Sequence, residues 1–195
     1  AQFRTLAERA RALGPGGADL RRDLTAKDLT RLGYAPEEAE RIEDLLSREA
    51  ALHAYLSAAE RRSIFPLTRI TPGYPAALRA LLGDRAPLVL FLRGEDACLG
   101  GGGRVIVFPA GRLTDCRVDA RVLYLTEGAY DVPFSAQRAL ARNRLIHALG
   151  ERTYAAQPRM QTGGTWRGCT DHLHSISRPL FVFDDGSEAA RALLA

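Results

Sequence analysis

The chain has 195 residues, 46% of them hydrophobic and 26% charged, with a formal net charge of +4 and a pI near 9.3, which suits a helical module followed by an α/β domain. No apolar run approaches the roughly eighteen residues of a membrane span, and Ala1–Gly14, which alternates Arg and Glu with apolar residues, is unlike a secretory leader. Three widely spaced cysteines, Cys98, Cys116 and Cys169, form no disulfide framework and no CxxC zinc or redox pair, so the expected setting is the reducing cytoplasm.

In chain order, Phe3, Leu6, Ala10 and Leu13 recur at helical spacing until Gly14-Pro15-Gly16-Gly17 stops the run. Thr25 is placed to cap a short helix over Ala26–Leu32. Gly33 ends that helix, and Pro36 opens the next with Glu37 and Glu38 at its positive end. Ile42, Leu45, Leu46, Leu52, Tyr55 and Leu56 carry an apolar stripe towards Arg62, broken near Ser47. Residues 1–62 thus read as a helical module of helix-hairpin-helix or SAM-like type. A tight turn of this kind either lays backbone N–H groups on DNA phosphates or only packs the two helices together.

The period changes at Ser63. Ile64–Ile70 contains Pro66, which cannot donate to a central ladder, so it reads as an edge segment. Pro75–Leu82 is a short helix, and Leu88–Leu92, bounded by Pro87 and Gly94, a buried strand. Gly100–Gly103 then interrupts the chain. Four apolar segments follow, Val105–Phe108, Val122–Leu125, Thr153–Ala156 and Leu180–Phe183, with helices over Ser135–Leu149 and Thr165–His174 between the last three. That alternation predicts a parallel α/β sheet with flanking helices over residues 63–195.

Charge is unevenly distributed. Residues 1–103 hold fifteen Arg and Lys against fourteen acids, whereas 138–178 hold seven Arg and only Glu151 and Asp171. Every basic residue but Lys27 is Arg, which forks two donors onto a phosphate, although a codon bias towards Arg produces the same composition. Two stretches within this region carry the candidate chemistry. Thr162-Gly163-Gly164-Thr165-Trp166-Arg167 joins a strand to a helix, where glycines let the backbone approach a ligand and a helix N-terminus offers unpaired N–H groups to an anion. A glycine pair is also what any strand-to-helix turn with positive φ uses. In the helix 135–149, Arg138 and Arg142 stand one turn apart while Arg144 lies about 200° further round. At least one of them points inward and needs a partner, either a phosphate or an internal carboxylate such as Glu127 or Asp131.

Other signals are weaker. His172 and His174 are two apart on a helix and face away from each other, so no metal is expected. Neither Ser135, Cys169 nor the four histidines assemble a nucleophile with a base by spacing. Trp166 serves equally as a base-stacking ring or as a packed indole.

Several blocks together resemble the DNA-processing protein A (DprA/Smf) family: Gly73-Tyr74-Pro75, Leu78 and Pro87–Gly94; Arg104–Gly111; Phe134, Arg142-Asn143-Arg144-Leu145-Ile146 and Leu149; and Gly163-Gly164-Thr165. The likeness covers most of 63–185, in order. Between Gly94 and Val105, where the family carries a strand, a helix and a second strand with their own glycine turns, this chain has ten residues. The resemblance therefore implies a reduced Rossmann-like domain, with a deletion near 94–104. It further implies a non-enzymatic, cytoplasmic protein without cofactor that binds single-stranded DNA in DNA uptake, transformation and recombination. The implied DNA and phosphate ligands are Arg138, Arg142, Asn143, Arg144, Thr162, Gly163, Gly164, Thr165 and Arg167. The implied partners are a RecA-type recombinase and a second copy of the chain, with no membrane.

Two alternatives stay open. The loop Thr162–Asp171 is also similar to the Pro-Gly-Gly-x-Gly-Thr-x-x-Glu loop of Lonely-Guy-type phosphoribohydrolases, with Asp171 in the place of the glutamate. The other is a degenerate member of the family that only scaffolds a partner.

Overall fold

The computed structural model describes residues 24–94, 99, 105–109 and 111–195. The helical pattern around Phe3–Leu13, its glycine-proline stop and the 100–103 glycines lie outside the described residues. The chain divides into two compact units that meet between residues 58 and 59.

In the first unit, α1 (Ala26–Arg31) and α2 (Pro36–Leu46) form a hairpin. Thr25 begins α1 with a capping box: its hydroxyl accepts from the Asp28 N–H at 3.3 Å, and the Asp28 carboxylate accepts from the Thr25 N–H at 3.2 Å. Gly33, at φ 88°, turns the chain between the helices. Leu24, Leu29, Tyr34 and Ala39 are buried between them, and the Glu43 carboxylate accepts from the Ala26 N–H at 3.1 Å. Ser47 ends α2 where the stripe breaks, and α3 (Glu49–Glu60) follows.

The second unit is α/β, a reduced Rossmann-like arrangement of strands and flanking helices. β1 (Ile64–Thr68), β2 (Val89–Gly94), β3 (Val105–Val107) and β4 (Val122–Thr126) form one sheet in the order β1-β2-β4-β3. Pro66 sits in the edge strand β1, where its missing donor breaks no second ladder. The parallel pairs expected from the sequence are present, β3 with β4 and β5 (Thr153–Ala155) with β6 (Leu180–Val182), but in separate sheets. Both edges of β4 are occupied, by β3 and by the antiparallel β2, and β5 pairs with β6 in a sheet of its own. β2 therefore belongs to the same sheet as β3 without touching it.

Burial in β2 alternates rather than running continuously. Leu90 and Leu92 join Leu123 and Leu125 of β4 beneath Leu78, Leu82, Leu145, Ala148 and Ile176, each buried leucine contributing about 1.5–3 kcal/mol. On the opposite face Phe91 meets the Tyr130 ring edge-on at 5.5 Å, and the Arg93 guanidinium donates to the carbonyls of Leu113 and Thr114 at 2.8 and 2.6 Å. Gly94 closes the strand at φ 113°, and a Cβ there would lie 2.2 Å from the Val122 carbonyl oxygen.

α4 (Ala76–Leu82) and α6 (Asn143–Leu149) pack on one face of this sheet. The helix expected over 135–149 is divided at Arg142 into α5 (Ala136–Ala141) and α6. α7 (Gly164–Ser175) and α8 (Glu188–Leu194) cover one face of the β5–β6 sheet through Cys169, Leu193, Ala155, Leu180 and Val182. No helix among the described residues is long and apolar enough to cross a membrane.

Candidate nucleic-acid interface

The Arg-Asn-Arg block sits where α5 meets α6. Ser135 caps α5, accepting from the Arg138 N–H at 3.5 Å, and so aims the Arg138 side chain back over the preceding loop. The guanidinium donates to the Val132 and Pro133 carbonyls at 3.1 Å each, to Thr126 Oγ1 at 3.3 Å and to the Ala129 carbonyl at 3.5 Å. Gly128 passes so close that a Cβ there would be 2.7 Å from Arg138 Nη2. Arg138 is thus the clamp of loop 126–133.

Arg142 donates through Nη1 to the Phe108 carbonyl, and its buried Nε has no partner among the described residues. Arg144 forks onto both oxygens of Glu127, with Nη1 to Oε1 at 2.8 Å, and also donates to the Ala141 carbonyl at 2.6 Å and the Arg85 carbonyl at 3.5 Å. Of the internal carboxylates open to these arginines, Glu127 takes Arg144. All three guanidiniums carry protein partners.

Asn143 connects the block to the glycine turn, since its Nδ2 donates to the Gly164 carbonyl at 3.2 Å. Glycines make this approach possible. A Cβ on Gly164 would touch Leu140 Cδ2 at 3.0 Å, and one on Gly168 would meet His147 Nε2 at 3.1 Å and Asn143 Nδ2 at 3.3 Å. Two stretches twenty residues apart in sequence are thereby neighbours in space.

Gly163 is the N-cap of α7 and supplies no side-chain acceptor. Its own N–H goes to the Arg159 carbonyl at 3.2 Å, and the first intrahelical bond runs from Arg167 N–H to the Gly163 carbonyl at 3.1 Å. The N–H groups of Gly164, Thr165 and Trp166 precede that bond, so this twelve-residue helix presents three outward donors and its positive end. The Thr165 and Arg167 side chains lie beside them, exposed, and the Arg167 guanidinium has no ion-pair or hydrogen-bond partner among the described residues. Thr162 folds back, its hydroxyl donating to the Met160 carbonyl at 3.3 Å. Trp166 packs against the Ala155–Cys169–Leu193 cluster.

Beside this turn a cavity of about 350 Å³ runs between α5 and α7. Gln137 and Leu140 form one wall and Arg167, Asp171 and Ser175 the other, while Arg85 and Arg144 also line it. Arg85 escaped the sequence reading because it falls in no motif, and Gln137, although within 135–149, carries no charge that singles it out. Arg159, exposed on the loop leading to Gly163, was missed for the same reason.

Beneath α7 lies a buried histidine pair. His147 Nδ1 and His172 Nδ1 are 2.9 Å apart, and His172 Nε2 is 2.8 Å from the Arg178 carbonyl. A carbonyl only accepts, so His172 carries a proton on Nε2, and with both rings neutral His147 Nδ1–H donates to His172 Nδ1. Burial and the neighbouring His172 hold His147 below the usual histidine range, against a smaller opposing pull from Asp171. The pair fixes α6 to α7 in its neutral form. Burial also pushes the Cys169 thiol up, which leaves it an inert packing group. His174 points to solvent, and no cluster of metal-ligating residues exists among the described residues.

No family model and no curated protein matches this chain. A solved structure does. The chain is similar in fold to DNA processing protein A (DprA) from Streptococcus pneumoniae. The TM-score is 0.60 at 15% identity, covering 97% of this chain and 87% of the DprA chain. At that identity the likeness is one of fold. It makes the chain DprA-like in architecture while leaving the side chains of the α7 turn and its groove to be judged on their own geometry.

Proposed function

We propose that this chain is a DprA-like DNA-processing protein that binds single-stranded DNA through the N-terminal turn of α7. The observation that carries this reading is the convergence of a helix N-terminus, three backbone donors and the Arg167 guanidinium, all without partners among the described residues, at the mouth of a groove. Such a turn suits a phosphate, because the donors are already aimed and the partial positive charge costs nothing to organise. Thr165 adds a hydroxyl. Gly163 and Gly164 keep the approach open, and Asn143 holds the turn in place from behind. Arg138, Arg142 and Arg144 support this surface as positioning residues, while Arg85 and Arg159 extend its charge. The sequence resemblance to the DprA family extends this reading to a role in DNA uptake, transformation and recombination, with a RecA-type recombinase and a second copy of the chain as partners, in the cytoplasm and without catalysis.

The test is a mobility-shift series with short single strands at low and moderate salt. Binding should fall steeply as salt rises, since each phosphate neutralised contributes a slope of roughly −0.7 to the dependence of log K on log salt. No shift even at low salt refutes the reading.

One observation favours an enzymatic alternative of the phosphoribohydrolase type: Asp171, the required acid, lines the same groove as Arg144 and Arg167. Release of free base from a nucleoside monophosphate, abolished by Asp171→Ala, would establish it.

A further inference from the structure

Parallel sheets are ordinarily covered on both faces, because strands joined by crossover helices carry helices on each side. Among the described residues the β5–β6 sheet is covered on one face only. Thr153, Ala155, Leu180 and Val182 turn towards α7 and α8, while Tyr154 and Phe181 turn outwards, 73% and 47% exposed. These two residues are direct cross-strand partners, and their rings stack at 5.2 Å with planes 17° apart. The ladder continues to Phe183, whose N–H donates to the Ala155 carbonyl at 2.9 Å, so alternation brings Phe183 to the same face, 67% exposed. Arg152 lies in the bend that leads into β5. It is exposed and has no partner among the described residues.

We infer that this face is a base-stacking platform for unpaired nucleobases, a second contact for the single strand proposed to bind at α7. The inference rests on that reading. Three features select nucleobases as the occupant. The Tyr154–Phe181 stack ends in a largely free ring, and a further flat ring extends such a stack without needing any particular hydrogen-bond pattern. Arg152 supplies the cation that a phosphate beside a stacked base requires. The loop 156–163, which carries the exposed Arg159, runs from the end of β5 directly to the α7 turn. A strand leaving that turn therefore has a charged path to the rings.

The experiment compares fluorescence anisotropy of a labelled oligo-dT with that of an abasic oligonucleotide of equal length and charge. Loss of the rings in Tyr154→Ala/Phe181→Ala should weaken oligo-dT binding by about tenfold, the scale of one stacked base, and leave the abasic affinity and the salt slope unchanged. Tyr154→Trp preserves the stack, should retain affinity, and should show tryptophan quenching by oligo-dT that the abasic strand does not produce. Equal losses on both oligonucleotides, unchanged oligo-dT binding, or conversion of a dimer to a monomer by the double alanine variant in sedimentation would each overturn the inference. Failure of the wild-type protein to bind either strand would instead refute the α7 reading on which it rests.

Discussion

The α5–α6 junction and the α7 turn carry the same residue type in opposite roles. Arg138, Arg142 and Arg144 donate to four loop groups, to the Phe108 carbonyl and to Glu127 respectively. The Arg167 guanidinium, on the neighbouring helix, donates to nothing among the described residues. An arginine placed to organise the fold is already solvated by protein and gains little from a phosphate, whereas one standing free beside unpaired N–H groups gains a full charge-assisted contact. The positive charge counted over 138–178 is therefore not a measure of the polyanion surface.

The sharpest way to break this contrast is Arg144→Ala. It strands the half-buried Glu127 carboxylate and frees the Ala141 and Arg85 carbonyls, and should lower the stability of the second unit by about 3 kcal/mol. Urea denaturation followed by circular dichroism measures it, and a loss below about 0.5 kcal/mol would mean that Arg144 is as free as Arg167. The complementary change, Arg167→Ala, should leave the urea midpoint in place, weaken single-strand binding about tenfold and reduce the salt slope by roughly 0.7. Titration at several salt concentrations checks it, and an unchanged slope would remove Arg167 from the interface.

The smallest effect is on pH. His147 is held below the ordinary histidine value in the folded protein, so the unfolded chain binds its proton first as pH falls. The stabilisation from the neutral pair is fully present above about pH 6.5 and declines as pH drops below the unfolded-state value, until the lowered folded-state value is passed. Urea midpoints at pH 7.5 and 5.5 should differ in that direction, and the difference should shrink in His147→Gln.

Much of the fold was legible because local chemistry announces it. The Thr25 cap, the Gly33 turn, the break at Ser47, the edge position of a strand bearing Pro66 and the strand-turn-helix at Gly163-Gly164 all follow from single residues whose backbone preferences are strong. α8 was not anticipated, since Glu188–Leu194 carries no periodic stripe long enough to register, although Ser187 caps it. The histidine pair was equally hidden. His147 and His172 lie twenty-five positions apart, and each alone looks like an ordinary helical residue.

Sequence alone determined the order and type of most elements, the parallel pairing tendency and the location of the arginine-rich region, because propensity, capping and alternation act over a few residues. Only the tertiary structure decided which arginines find partners, that β5 and β6 form a sheet apart from β4, and that among the described residues one face of that sheet carries bare rings. Those outcomes depend on which groups from distant segments fill a given side chain's hydrogen bonds or cover its surface, a competition that no local pattern encodes.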